Sequence, residues 1–264
     1  MDLGLREKVA IVMAASKGLG CASAMALAAE GARVTIGARG AEALEQTARE
    51  MQQATGSRVL AVPTDVTQAE DVEAIVAATV REFGRIDILV NNAGGPPPGT
   101  FEAFGDAQWQ AAFELNLLST VRLIRLVLPH MRKTGSGRII NIVSTSVKQP
   151  IDGLLLSNAI RSGVIGLAKT LSVELAPDNI TVNNVCPGRI LTDRLRHLYH
   201  IDERVQQGTS EEAILKEMAQ GVPMGRIGRP EELGSFVAFL ASQQAAYITG
   251  TTTQIDGGLV RSLL

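Results

Sequence analysis

Arg138-Ile-Ile-Asn-Ile-Val-Ser144 reads as an apolar strand, and beyond a loop to Pro150 the run Ser157-Asn-Ala-Ile-Arg-Ser-Gly-Val-Ile-Gly-Leu-Ala-Lys-Thr-Leu-Ser-Val-Glu174 reads as a helix. In the second run Ile160, Val164, Leu167, Ala168 and Leu171, continued by Leu175, recur at helical spacing. A strand ending in Ser144 and a helix opening near Ser157 set two hydroxyls beside one crevice. Arg161 stands one turn on, on the face of Ser157, because residues at i and i+4 are helix neighbours.

The same alternation extends outward along the chain. Short β-rich runs fall at about Val9–Met13, Arg33–Gly37, Arg58–Val62, Ile86–Val90, Ile180–Val185 and Thr252–Ile255. Amphipathic or alanine-rich stretches lie between them at about Cys21–Ala29, Ala41–Gln53, Ala69–Phe83 and Asp106–Met131. Gly31 stands where a left-handed residue closes the first helix. Strands alternating with helices predict a parallel sheet covered on both faces, a single α/β domain of the doubly wound Rossmann type with about seven strands. No repeat, low-complexity tract or linker divides residues 1–264. The one long irregular stretch, 188–228, reads as a substrate lid.

Composition narrows the function. The chain has 264 residues, 45% apolar and 20% charged, which is enough for one sizeable core. A net charge of −2 without runs of like charge gives no electrostatic case for nucleic acid or a membrane surface. Cys21 and Cys186 show no metal or CxxC spacing, so no metal site is expected. The first residues, Met1-Asp-Leu-Gly-Leu-Arg-Glu-Lys8, lack a signal-peptide pattern, and no run approaches the ~20 apolar residues of a membrane span. A cytoplasmic protein is expected.

The loop Ala14-Ala-Ser-Lys-Gly-Leu-Gly20 follows the first strand and opens a helix. In a doubly wound sheet that is where backbone N–H groups and the helix dipole suit a pyrophosphate. A carboxylate about 20 residues past the glycines holds the ribose 2′-hydroxyl in NAD sites. Here Ile36-Gly-Ala-Arg39-Gly40 offers no acid, with Ala38 at that place. Arg39 can present its planar fork to a 2′-phosphate, and Lys17 adds a point charge. NADP(H) is the preferred cofactor, with NAD(H) the alternative.

Taken together, these segments resemble the short-chain dehydrogenase/reductase family, of the 3-oxoacyl-(acyl carrier protein) reductase type. In that family a Ser is followed thirteen residues later by Tyr and four beyond by Lys. The frame from Ser144 falls on Ser157 and Arg161, so the scaffold matches while the proton donor and its partner are replaced. Tyr199 and Tyr247 are the only tyrosines. Gly18 and Gly20 match the family's glycine loop, where Met13 and Ala14 replace Thr and Gly. If position 14 is left-handed, alanine there costs roughly 1–2 kcal/mol.

The resemblance further implies cofactor contacts from Ala14, Ser16, Lys17, Gly18, Leu19 and Gly20, and adenine contacts from Asp65 and Val66. It places Asn92, Ala93 and Gly94 beside the cofactor, and Pro187, Gly188, Ile190 and Thr192 near the carboxamide. Asn116 matches its active-site Asn. The implied partner molecules are a small carbonyl or hydroxyl substrate, free or acyl-carrier-bound, and further copies of the chain in a tetramer. The apolar tail Leu259-Val-Arg-Ser-Leu-Leu264 supports an oligomer.

Chemically, a serine hydroxyl is a much weaker acid than the family's tyrosine. Arg161, with a pKa above about 12, is no proton relay, although it can hold positive charge beside a developing alkoxide. Ser157 reads equally as a helix-start residue that satisfies backbone N–H groups. His197, Tyr199 and His200 are candidate substitute acids on a segment Ile190–Ile201 that can fold over the site. Arg189, Arg194, Arg196 and Arg204 hint at an anionic substrate, or else are solvated lid charges. Pro96-Pro97-Pro98 is placed on one rim of the pocket. Two functions stay open: a reductase with an altered proton donor, and a catalytically inactive nucleotide-binding member.

Overall fold

A computed structural model describes residues 2–263, so Met1 and Leu264, at the two ends of the segments read above, lie outside the described residues. The β-rich runs form seven strands: β1 Val9–Met13, β2 Arg33–Ala38, β3 Val59–Pro63, β4 Ile88–Asn91, β5 Gly137–Ile142, β6 Ile180–Pro187 and β7 Thr252–Ile255. They make one sheet in the order β3-β2-β1-β4-β5-β6-β7, and every pairing is parallel. The reversal of order between β1 and β4 is the switch point beyond whose carboxyl ends ligands bind in such sheets.

Both sheet faces are covered because both sets of alternating side chains are apolar. Ala10 and Val12 of β1 pack into one core with α1 (Gly18–Ala29) and α2 (Ala41–Thr55), while Ile11 and Met13 pack into the other. That second core is closed by α3 (Ala69–Phe83) and by α5 (Ser119–Thr134), which continues α4 (Asp106–Phe113). Helix α6 (Leu155–Glu174) joins the same face through Ala168. Gly31 is left-handed at φ 83°, as its position at the end of α1 predicts.

Four expectations change. The stretch Asp106–Met131 is not one regular helix, since a π turn at Glu114–Leu118 separates α4 from α5 and carries Asn116. One extra residue per turn rotates that side chain out of the α register, a device frequent at functional sites. The segment 188–228 is not irregular. It folds as α7 (Asp193–Leu198), α8 (Ile201–Gln206) and α9 (Glu211–Met218) around Ile201, Ile214 and Met218. Helix α10 (Pro230–Ala241) escapes the periodic reading because it lies against α1, where Gly234 leaves room for the Ala22 carbonyl. Finally, β5 ends at Ile142, and Ser144 caps the short turn that follows.

Two residues of the first loop carry opposite constraints. Ala14 is left-handed at φ 49°, so the alanine cost is present. Gly20 packs so tightly that a Cβ there would run into the Ala14 carbonyl and lie 2.8 Å from the Met13 oxygen. Gly20→Ala is therefore expected to lose about 1–3 kcal/mol in denaturant unfolding, the usual cost of overpacking. Ala14→Gly is expected to gain about 0.5–1 kcal/mol, the relieved strain less the extra entropy of glycine.

Candidate active site

At the carboxyl ends of the strands a cavity of about 550 Å³ opens between the first loop, the β4, β5 and β6 ends and the lid. Its lining brings together most of the residues singled out by sequence: Ala14, Lys17, Gly18 and Leu19 from the first loop, and Asn92, Ala93 and Gly94 after β4. Ser144, Ser157 and Arg161 form its floor, and Pro187, Gly188, Ile190 and Thr192 its far wall. Helix α1 begins after Lys17 with no side-chain cap, so its first N–H groups stay available to an anion. The open turn and the space beside Gly94, where a Cβ would meet nothing within 4 Å, fit a dinucleotide.

Some predicted residues lie elsewhere. Ser16 does not line the cavity, its backbone carbonyl accepting from Thr47 Oγ1 at 2.9 Å, and Gly20 is a packing residue. Asp65 sits at the end of β3, where hydrogen bonds from the Thr67 backbone and hydroxyl hold its carboxyl below the usual range, helped by the charge of Arg39. Arg39, Asp65 and Val66 thus do not line the main cavity, and Val66 lines the small cavity beside Asn116 instead. Lys17 is not a free cation, since its Nζ meets Asp193 Oδ2 at 2.6 Å and ties the first loop to the lid.

Ser157 is buried in the first turn of α6, whose cap residue is Leu154, so it does not serve as a helix-start cap. Its hydroxyl faces the cavity and makes no hydrogen bond among the described residues. Ser144 Oγ accepts from the Ser146 N–H at 3.1 Å, which leaves its own proton free to be donated.

Arg161 is buried. Its Nη1 donates to the carbonyls of Ile142 (3.4 Å) and Val143 (3.2 Å), and its Nη2 to those of Ala93 and Gly94 (both 3.4 Å). Burial, with the nearby charge of Arg194, lowers its pKa to about 10, so the value above 12 expected from sequence does not hold. It remains charged at neutral pH.

Asn116 donates from Nδ2 to the Gly94 carbonyl at 2.9 Å. Its buried Oδ1, like that of Asn91, has no partner among the described residues, and both residues line a cavity of about 10 Å³, roughly the size of one water.

The lid resolves the substitute acids. Tyr199 lines the cavity, whereas His197 and His200 are exposed, and His200 pairs with Glu203 at 2.8 Å. Of the lid arginines only Arg189 and Arg194 line the cavity. Arg196 pairs with Asp202 and Glu211, and Arg204 with Glu217. The three prolines do not line it either; Pro96 instead offers its carbonyl to Arg194 at 2.9 Å.

One feature escaped the sequence reading. Asn91, Asn141 and Asn184 stand side by side on β4, β5 and β6, joined by amide hydrogen bonds of 2.8 and 2.9 Å, and Asn184 reaches Thr252 of β7 at 3.1 Å. An asparagine inside each of three apolar strands was the available signal. Among the described residues no group of side chains could hold a metal ion, and no helix is long and apolar enough to cross a membrane.

A cavity at the switch point of a doubly wound sheet, entered beside an uncapped helix start, defines a nucleotide-cofactor protein. Comparison with known proteins narrows that class. Residues 13–260 match the family described as enoyl-(acyl carrier protein) reductase. The 3-oxoacyl-[acyl-carrier-protein] reductase of Synechocystis sp. is 38% identical over 258 residues, 97% of this chain and 98% of that protein. The short-chain reductase protein NovJ of Streptomyces niveus is 36% identical over 254 residues, 96% of this chain and 94% of that one. The solved structure of L-sorbose reductase from Gluconobacter frateurii, complexed with NADPH and L-sorbose, superposes with a TM-score of 0.94 at 36% identity, covering 100% of both chains. The chain belongs to the short-chain dehydrogenase/reductase family of oxidoreductases.

Removing the central guanidinium tests its structural part. Arg161→Leu leaves the four carbonyls of Ile142, Val143, Ala93 and Gly94 without these donors. Stability in a urea titration is expected to fall by about 1–3 kcal/mol, with Arg161→Lys intermediate.

Proposed function

We propose that the protein is an NADP(H)-dependent oxidoreductase that reduces a ketone or 3-oxoacyl group without the family's usual proton relay. The observation that carries this reading is the convergence of Ser144, Ser157 and Arg161 on the cavity that the first loop opens. NADPH in the L-sorbose reductase complex and the 3-oxoacyl substrate class of the Synechocystis relative support it.

The reduced nicotinamide supplies the hydride when bound. The chain's residues orient and polarise. The two serine hydroxyls are placed to donate to a carbonyl oxygen, and the Arg161 guanidinium adds positive charge where negative charge develops. Arg161 keeps its proton at neutral pH, so it cannot pass one on. By the resemblance Ser157 takes the place of the family's tyrosine, and Tyr199, which also lines the cavity, is the phenol left to act as an acid. The lid 188–228 closes the substrate side of a single domain. The reading includes a homo-oligomer, expected as a tetramer, for which the 71% exposed Val173 of α6 offers apolar surface.

A second reading, a nucleotide-binding member with little turnover, is favoured by one fact. Both lid histidines, the groups suited to proton transfer at neutral pH, lie outside the cavity.

One measurement tests the cofactor and a second the turnover. Fluorescence titration is expected to show NADPH binding more tightly than NADH, with Arg39→Ala removing the difference; equal affinities in the wild type would reject the cofactor assignment. NADPH oxidation with ketones is expected to run about 10²–10⁴ below an ordinary relay, the usual worth of a general acid. Ser157→Tyr combined with Arg161→Lys is expected to raise it. An ordinary wild-type rate that survives Ser157→Ala and falls in Tyr199→Phe would move the acid to Tyr199.

A further inference from the structure

We infer that this cavity takes a substrate bearing a carboxylate, held by Arg194 with Arg161 behind it, and so prefers oxo acids to neutral ketones, esters or thioesters. The inference rests on the cavity being the substrate site of an oxidoreductase.

The charged residues that line the cavity are Lys17, Arg161, Arg189, Arg194 and Asp193. Asp193 neutralises Lys17. Arg189 turns its guanidinium to the Met218 and Gln220 carbonyls and lies 5.9 Å over the Tyr199 ring. Two cations are left, and neither Arg161 nor Arg194 has a carboxylate partner among the described residues. Carbonyl oxygens solvate the Arg161 guanidinium, but a dipole does not cancel a charge. A buried cation without a counter-ion is costly to hold, and two facing one cavity make it a place for an anion.

Arg194 is built into that place. Its guanidinium lies against Gly95, where a Cβ would come within 3.0 Å of Nη2, so the missing side chain gives the fork its seat. The Pro96 carbonyl takes a hydrogen bond from Nη2 at 2.9 Å, and no other hydrogen bond from this guanidinium is made among the described residues. The remaining donors suit the two-oxygen geometry of a carboxylate. Burial lowers the pKa of Arg194, and burial, with the charge of Arg194 added, lowers that of Arg161, the response of cations held near one another away from a counter-ion.

The outer lid shows the contrast. Arg196, Arg204 and Arg226 all meet acidic side chains, whereas the lid carboxylate that lines the cavity, Asp193, is taken by Lys17 and not by Arg194. Negative charge is left to bound molecules, the cofactor's phosphates at the first loop and a substrate carboxylate at Arg194.

The test is calorimetric titration of the whole protein, alone and saturated with NADP⁺, in which no hydride can be transferred. The probes are acetoacetate, 4-oxopentanoate and phenylpyruvate, each beside its methyl ester. At least one acid is expected to bind tenfold or more tightly than its ester, about 1.4 kcal/mol. That preference is expected to shrink as salt rises. Arg194→Gln, which can still donate to Pro96, is expected to bring the ratio toward one, and Arg194→Lys to restore part of it.

No acid preferred over its ester, a preference indifferent to salt, or binding of none of the six overturns the inference. If Arg194→Gln fails to fold by circular dichroism, the salt dependence of the wild type decides. Ester reduction by NADPH without acid preference would leave the oxidoreductase reading standing and this inference rejected. Acid preference without NADPH oxidation would do the reverse.

Discussion

A guanidinium buried without a carboxylate sets the terms for this site. Arg161 reaches from α6 into the gap where β4 and β5 end and donates to two carbonyls on each side. Those carbonyls belong to strand ends whose hydrogen-bonding ladder has run out, so they need donors as much as the cation needs acceptors. A shorter ammonium has three donors in a compact cluster, while the planar fork spans two backbone segments at once. An arginine at this place is therefore more than an acid–base group. It is part of the scaffold, and it fixes a positive charge at the floor of the cavity.

The rest of the site is organised around that charge by a second polar structure. The Asn91, Asn141 and Asn184 amides cross three strands in register and end at Thr252 of β7. Each of these buried amides meets a partner through at least one atom, Asn91 Oδ1 alone of the ladder being left to the small cavity among the described residues, and a pairing of this kind resists any slip of register. The chain has placed these polar side chains at the carboxyl half of the sheet, where the strands meet the cavity, and kept apolar ones below. Asn116, turned by the π segment, fastens the Gly94 loop from the helical side.

The lid belongs to the same electrostatic design. Its outer arginines are satisfied by neighbouring acids and hold α7, α8 and α9 to one another. Asp193 reaches across to Lys17, so the lid and the first loop share an ion pair exposed to solvent. Such an exposed pair is worth little in stability, about 0–1 kcal/mol. It nonetheless leaves Asp193 in the cavity wall already committed and Arg194 without an acid to meet.

Strand and helix alternation, the two-faced sheet and the first glycine loop were legible in the sequence because they rest on local periodicity and on glycines with a steric reason. Ser144, Ser157 and Arg161 could be placed on one crevice by spacing alone, since a strand end and a helix turn fix their directions. What lay beyond local reach was partnership. Whether Lys17, Arg194 or Arg196 is a free cation depends on acids brought near by folding, from Asp193 beside the first loop to Glu211 on another lid helix. The π turn at Asn116 and the amide ladder likewise depend on which strands and helices become neighbours. Sequence by itself determined the kinds of group present and the elements that carry them; tertiary structure decided which charges cancel, because cancellation acts across angstroms of space and not along the chain.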